Sequence, residues 1–283
     1  MNRILVPCDF SKHAIHAFGF AVSMAKALQG RIEVLFAIDF GMMTDPISGA
    51  EPIIMEPHFY SAVEKQTRAR FADMLKRHAS DFEAVTLKIE TGSLLPVMIR
   101  EMERLQPFCV VMGTRGASGI KEIFIGSNTE KVVRFAPCPV FAIRDFIEFS
   151  SIKNIIHPTE LRLNQTDFIN RLKTLQGLTK ATLHVLYINE PGRPVSEEEL
   201  REYCRHYGLT DVTLSIRDNA DKVDEIICFS AEREGDLVAM ATHARHGLAH
   251  LVSGSVSEDV VNHIQTAVWT YSLKPVAHEL SVS

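Results

Sequence analysis

The sequence predicts an α/β protein made of two like domains in tandem, and three observations predict it. Apolar runs of strand length alternate with segments whose apolar residues recur every three or four positions. The motifs of the first half return in order in the second. A length of 283 residues supplies roughly two domains of about 150.

The elements follow in order. Residues 3–9, RILVPCD, read as a strand that breaks at Pro7. Ala14, Ala17, Phe18, Ala21, Val22, Ala25 and Leu28 then mark one helix face, with Ser11 expected to cap its start and Gly30 its end. IEVLFAID (32–39) is a second strand, so the chain opens as a parallel, right-handed βαβ unit. The stretch 40–58 carries Gly41, Pro46, Gly49, Pro52 and Pro57 and reads as a long loop. Beyond it we expect a long helix near 59–80, strand 84–90, helix 94–104, strand 108–112, a glycine-containing loop, a helix from about 127, and strand 139–143.

The second half repeats this. KNIIHPTE (153–160) answers RILVPCDF, TLHVLYIN (182–189) answers IEVLFAID, and VTLSI (212–216) answers VTLKI (85–89). Residues 236–261 align without a gap to 108–133. Domains at 1–146 and 151–283 result, with a charged and Ser-containing linker near 145–151.

Composition narrows the function. A hydrophobic fraction of 46% with 23% charged residues is that of a globular chain, neither disordered nor fibrous. A net charge of -5 gives no basic footprint for nucleic acid, which leaves a small molecule or a protein as the expected partner. No apolar run reaches membrane-spanning length and no signal-peptide pattern precedes the first strand, so the cytoplasm is the expected location. Five scattered cysteines without a CxxC pair argue against a disulfide framework or a zinc ribbon.

Chemistry concentrates at Gly113-Thr-Arg-Gly116, nine residues, then Gly126-Ser127-Asn128-Thr129. Glycines let a backbone approach a ligand, and a helix N-terminus attracts anions, so this loop can cradle a polyphosphate, with Ser127 and Thr129 as hydroxyl donors. Read by itself, the pattern is more simply a capping box, Ser127 to Glu130, with turn glycines. Position adds weight: the loop, the Pro7-Cys8-Asp9 turn and Ala37 all fall at the carboxyl ends of predicted parallel strands, where open sheets bind ligands. Asp9 offers a carboxylate for ribose hydroxyls or an adenine amino group, or else a helix-capping acid.

ILVPCDFS at 4–11 and GTRG(x9)GSNTEKVVRFAPCPV at 113–140 resemble the universal stress protein family and its ATP-binding pattern, over nearly the whole chain in two copies. The resemblance implies tandem Rossmann-like, adenine nucleotide alpha hydrolase-like domains. Each would be a five-stranded parallel sheet flanked by helices, and the two would pack as a pseudo-dimer through strands 139–143 and 267–271. It also implies an ATP site with Asp9 and Ala37 around adenine and ribose, lined by Pro7 and Met112. Gly113, Gly116, Gly126, Ser127 and Thr129 would surround the phosphates, with Mg²⁺ near Ser127 and Thr129. The second copy departs from this pattern. Ala241 and Ala244 replace Gly113 and Gly116, Glu160 replaces Asp9, and Tyr187 replaces Ala37, while Gly254, Ser255 and Ser257 remain. One working nucleotide site is expected.

Other constellations weigh less. His243, His246 and His250 lack a nearby acidic or thiol ligand, and solvated loop histidines are expected. Cys8 beside Asp9 is either a reactive thiol or a packed small residue, and the packed residue is favoured. The expected function is a nucleotide-responsive stress regulator or protective factor that binds ATP in its first domain. A nucleotide-free protein-interaction scaffold and a slow ATP-hydrolysing enzyme are the alternatives. The partner protein and any further homodimer stay open.

Overall fold

The computed structural model describes residues 2–39, 57–114, 127–189, 194–219, 221–243 and 263–273, together with Val256 and Val260. In chain order the first half runs β1 (Arg3–Pro7), α1 (Lys12–Leu28), β2 (Arg31–Ile38), α2 (Pro57–His78), β3 (Val85–Thr91), α3 (Leu94–Leu105), β4 (Cys109–Gly113), α4 (Ser127–Phe135) and β5 (Val140–Ile143). The second half runs β6 (Asn154–Pro158), α5 (Thr166–Thr179), β7 (Thr182–Asn189), α6 (Glu197–Tyr207), β8 (Val212–Asp218), α7 (Lys222–Glu232), β9 (Leu237–His243) and β10 (Ala267–Leu273).

The strands form one sheet in the order β3-β2-β1-β4-β5-β10-β9-β6-β7-β8. Each half is parallel, and the two join by the antiparallel pair β5–β10, where Trp269 faces Phe141 in register. This is the expected pairing through the last strand of each copy. An apolar core under α1, α2, α5 and α6 is continuous across both halves, and two smaller cores lie on the opposite face, one under α3 and α4 and one under α7.

The duplication extends to the backbone. Pro7 pairs with Leu35 and Pro158 with Leu186, each 151 residues on. Val110 pairs with Val140 and Val238 with Val268, each 128 residues on. Three non-glycine residues in the left-handed region recur at the same spacings: Phe10 (φ 60°) and Leu161 (φ 56°), Gln29 (48°) and Lys180 (55°), Gln106 (45°) and Glu234 (48°). L-residues seldom adopt this conformation, so its threefold recurrence traces both halves to one template.

Two expectations are corrected. Helix α1 does end near Gly30, but Gln29 is the left-handed cap, and the Gly30 N–H donates to Ala25 O at 2.8 Å. Gly30 is needed for a different reason, since a methyl group there would stand 2.7 Å from Asn2 O. The register also places Ile188, not Tyr187, opposite the site of Ala37, because Leu183 rather than Thr182 is the counterpart of Ile32. A slip of one residue in a strand moves every side chain to the other face. Tyr187 therefore answers Phe36 and is buried in the continuous core, whereas Ile188 is 6% exposed in the α7 core.

The linker is apolar as well as charged. Phe149 and Ile152 are buried, and the Phe149 N–H donates to Ser23 Oγ of α1 at 2.8 Å.

Candidate functional site

Strand order reverses between β1 and β4: β1 continues through α1 to β2 on one side, while β4 pairs with it on the other. A crevice opens outside such a switch point at the carboxyl ends of the strands. Pro7 ends β1 and Gly113 ends β4 there.

After Pro7 the Cys8 N–H donates to Leu35 O at 2.9 Å. Phe10 then takes its left-handed turn, and the Ser11 N–H donates to Asp9 Oδ1 at 2.9 Å. Ser11 Oγ accepts from Ala14 N at 3.3 Å, which makes Ser11 the N-cap of α1 as expected. The half-buried Asp9 thus lies in a side-chain turn just before the helix rather than at the cap. Ala37 is half-buried, one residue before the end of β2, in register with Glu90.

At the end of β4, a methyl group on Gly113 would stand 2.6 Å from the His13 carbonyl carbon and 2.9 Å from Ala14 N. The first turn of α1 lies directly against this glycine. Thr129, in the first turn of α4, is 3% exposed and donates its hydroxyl to Gly113 O at 2.9 Å. A hydroxyl has one proton, so in this arrangement Thr129 keeps only lone pairs for another group, contrary to its expected role as a donor. Met112 is 4% exposed and packs in the core under α3 and α4 with Leu5, Leu35 and Val132. The next residue after Gly113, Thr114, is buried with a hydroxyl that has no hydrogen-bond partner among the described residues, and the same holds for its counterpart Thr242. Gly116, Gly126 and the side chain of Ser127 lie outside the described residues.

The second repeat keeps Pro158 for Pro7 and Met240 for Met112 but departs at Asp9, Ala37 and Gly113. Glu160 is exposed and paired with Arg162 at 2.7 Å, Ile188 fills the place of Ala37, and Ala241 that of Gly113. Helix α5 begins at Thr166, three residues after Leu163, the counterpart of Lys12. Ala244, Gly254, Ser255 and Ser257 lie outside the described residues, as do His246, His250 and the side chain of His243. Among the described residues no group of three or more His, Cys, Asp or Glu is placed to hold a metal ion.

Burial pushes the Cys8 thiol up to about 12, and its Sγ lies 3.9 Å from Met74 Sδ. Cys8 is therefore the packed small residue rather than the reactive thiol. Sequence reading passed over Phe10 and Arg70, whose guanidinium lies 4.8 Å above the Phe10 ring. The one sequence signal for Phe10 is the large apolar residue Leu161 at the same place in the second copy.

No described helix is long and apolar enough to cross a membrane. The model of the universal stress protein family matches residues 1–144 and 195–272. A universal stress protein of Thermus aquaticus is 31% identical over 151 residues, which are 50% of this chain and 98% of that protein. One from Methanocaldococcus jannaschii is 26% identical over 148 residues, 50% of this chain and 82% of the relative. Each relative thus corresponds to about one repeat. Over both repeats, the crystal structure of a universal stress protein from Archaeoglobus fulgidus superposes with a TM-score of 0.75 at 19% identity, covering 96% of each chain. A putative universal stress protein from Pseudomonas aeruginosa superposes with a TM-score of 0.68 at 19% identity, covering 96% of this chain and 93% of that one. With the family model matched in both halves and the whole fold shared, the chain belongs to the universal stress protein family.

Proposed function

We propose that the first repeat binds an adenine nucleotide, ATP with Mg²⁺, at the β1–β4 switch point, and that the chain works as a nucleotide-responsive stress regulator or protective factor. The observation that carries this reading is the convergence of the Asp9 turn and Gly113 at the carboxyl ends of adjacent strands where the order reverses. Asp9 and Ala37 would hold ribose and adenine beside Pro7 and Met112, of which Met112 is 4% exposed and offers little surface. Gly113, Gly116, Gly126, Ser127 and Thr129 would surround the phosphates at the start of α4, where backbone N–H groups favour an anion. The Thr114 hydroxyl, which has no partner among the described residues, adds polar capacity at the same strand end. Glu160 paired with Arg162, Ile188 and Ala241 support a second repeat without nucleotide.

A nucleotide-free interaction scaffold is the second reading, and one observation favours it. The contact with His13 demands glycine at position 113 whether or not a ligand is present. Purifying the protein without added nucleotide, denaturing it and identifying released molecules by mass spectrometry separates the two. Near one mole of ATP or ADP per chain supports a single site, and near two refutes the empty second repeat. None released, and none bound on titration with Mg-ATP, leaves the scaffold.

A further inference from the structure

We infer that Phe10 is a positioning residue that fixes the Asp9 carboxylate and ties it to helix α2. This inference rests on the nucleotide reading of Asp9 for its functional meaning. Phe10 stands between Asp9 and the N-cap Ser11 with φ 60° and is 8% exposed. That turn brings the Ser11 N–H to Asp9 Oδ1 at 2.9 Å. A side-chain-bearing residue persists in the left-handed region only where its surroundings hold it, and such residues gather at functional sites. The holding groups are the Phe36 ring of β2, 5.7 Å between centroids, and the Arg70 guanidinium of α2, 4.8 Å from the ring centre. Phe36 is the residue before Ala37, so one aromatic contact links the turn that carries Asp9 to the strand that carries Ala37.

The second repeat separates backbone from function. Leu161 keeps the left-handed turn at φ 56°, but its own N–H donates to Thr159 Oγ1 at 3.1 Å, and the neighbouring carboxylate, Glu160, pairs with Arg162. A half-buried apolar side chain packed against the core is thus enough to hold the turn. In the first repeat the turn directs the Ser11 N–H onto Asp9, and in the second the carboxylate is released.

The test uses the full chain with Phe10→Ala, Phe10→Leu and Asp9→Ala, alone and combined, and two readouts. The first is Mg-ATP affinity by titration calorimetry. Phe10→Ala is expected to weaken binding about tenfold, Phe10→Leu to restore it to within about twofold, and Phe10→Ala to add nothing in the Asp9→Ala background, since groups acting through one another are not additive. The second, independent of nucleotide, is hydrogen exchange of the Ser11 amide, expected to speed up about tenfold in Phe10→Ala and in Asp9→Ala but not in Phe10→Leu. Wild-type protein that binds no nucleotide while Ser11 exchange follows this pattern sinks the nucleotide reading and keeps the positioning role. Binding and Ser11 exchange both unchanged in Phe10→Ala, or a full additional loss in the double variant, overturns the positioning role and leaves the nucleotide reading standing.

Discussion

Gly113 and His13 are in backbone contact so close that a single methyl group on Gly113 would fall 2.6 Å from the His13 carbonyl carbon and 2.8 Å from its oxygen. The second repeat carries that methyl as Ala241, and there the helix starts three residues later, with Asn164 in place of His13 outside α5. Residue type and helix length have changed together. A longer first turn of α1, with its N–H groups near the strand ends, is compatible only with glycine at the end of β4.

Gly113→Ala is therefore expected to lower stability by about 1–3 kcal/mol through overpacking, read as a reduced midpoint in urea. Ala241→Gly, which relieves no contact, is expected to change it by less than about 1 kcal/mol. Equal effects of the two substitutions would contradict the pairing of Gly113 with the first turn of α1.

His157 gives the second repeat an acid-sensitive core. It stands where the first repeat has Val6, fully buried, with Nδ1 3.1 Å from Ala239 O and Nε2 3.3 Å from the Tyr203 hydroxyl. A carbonyl only accepts, so Nδ1 carries the hydrogen and Nε2 accepts from Tyr203. Burial pulls the imidazole down from 6.5 to about 4. Between those values the unfolded chain takes up a proton that the folded chain refuses. The stability that His157 contributes is whole above pH 6.5 and falls as pH drops toward 4, by about 3 kcal/mol in all. His157→Val should flatten this part of the pH–stability curve, measured by urea unfolding at half-unit steps. A slope unchanged from wild type would mean the imidazole is already charged in the fold.

Glu101 marks the opposite choice in the first repeat. Its carboxyl is 1% exposed, yet Lys88 Nζ reaches Oε1 at 2.6 Å and Arg104 Nε reaches Oε2 at 2.8 Å. Burial pushes this carboxyl up, but the hydrogen bonds from the two cations outweigh it and hold it below the usual range. Its contribution is present above the ordinary carboxyl range and is lost as pH falls through the lowered value. The second repeat has Phe229 at this place, fully buried, with the Arg217 and Arg233 guanidinium groups 5.4 and 5.3 Å from the ring. Glu101→Ala, which leaves Lys88 with Glu90 at 3.2 Å and Arg104 with Glu33 at 2.6 Å, should cost about 1–2 kcal/mol, and Glu101→Gln, which keeps one acceptor oxygen but turns an NH2 donor toward the other cation, somewhat less. Urea midpoints of the two variants check the order, and a Glu101→Ala loss below about 0.5 kcal/mol would refute it.

Periodicity and repetition made most of the fold legible, because β1, α1 and the strands that follow carry their burial pattern in their residue types. The last-strand pairing came from the family resemblance, and the register of β5 against β10 bears it out. The sequence could not show that Gln29 rather than Gly30 is the left-handed cap, since sequence offers glycine first for that role and the close approach of Asn2 is a tertiary fact. Aligning IEVLFAID with TLHVLYIN end to end missed the register by one residue, because both strands are apolar on both faces and alternation gives no phase. At the candidate site, Asp9, Gly113 and Thr129 were visible as residue types. The contacts that occupy them, Ser11 N–H, His13 and the Gly113 carbonyl, depend on how α1 and α4 meet the sheet.

A duplicated chain has two equivalent faces at its junction but one linker, so the faces cannot be filled alike. On the α1 side Phe149 lies 5.8 Å from the Phe20 ring and its N–H is held by Ser23. The residues 151 positions on are Arg171 and Thr174, and beside them Phe108, Pro139, Phe141, Leu175 and Trp269 line a cavity of about 80 Å³. Phe149→Ala should thus empty a filled site and cost about 3–5 kcal/mol. Thr174→Leu, at an exposed position on the rim of that cavity, should cover part of its apolar lining and add about 0.5–1 kcal/mol. Trp269 is the one tryptophan of the chain and lines the cavity, so its emission during urea unfolding reads both variants at the junction itself. A Phe149→Ala variant as stable as wild type would mean that the linker merely covers this face. The β5–β10 pair would then hold the two repeats together without it.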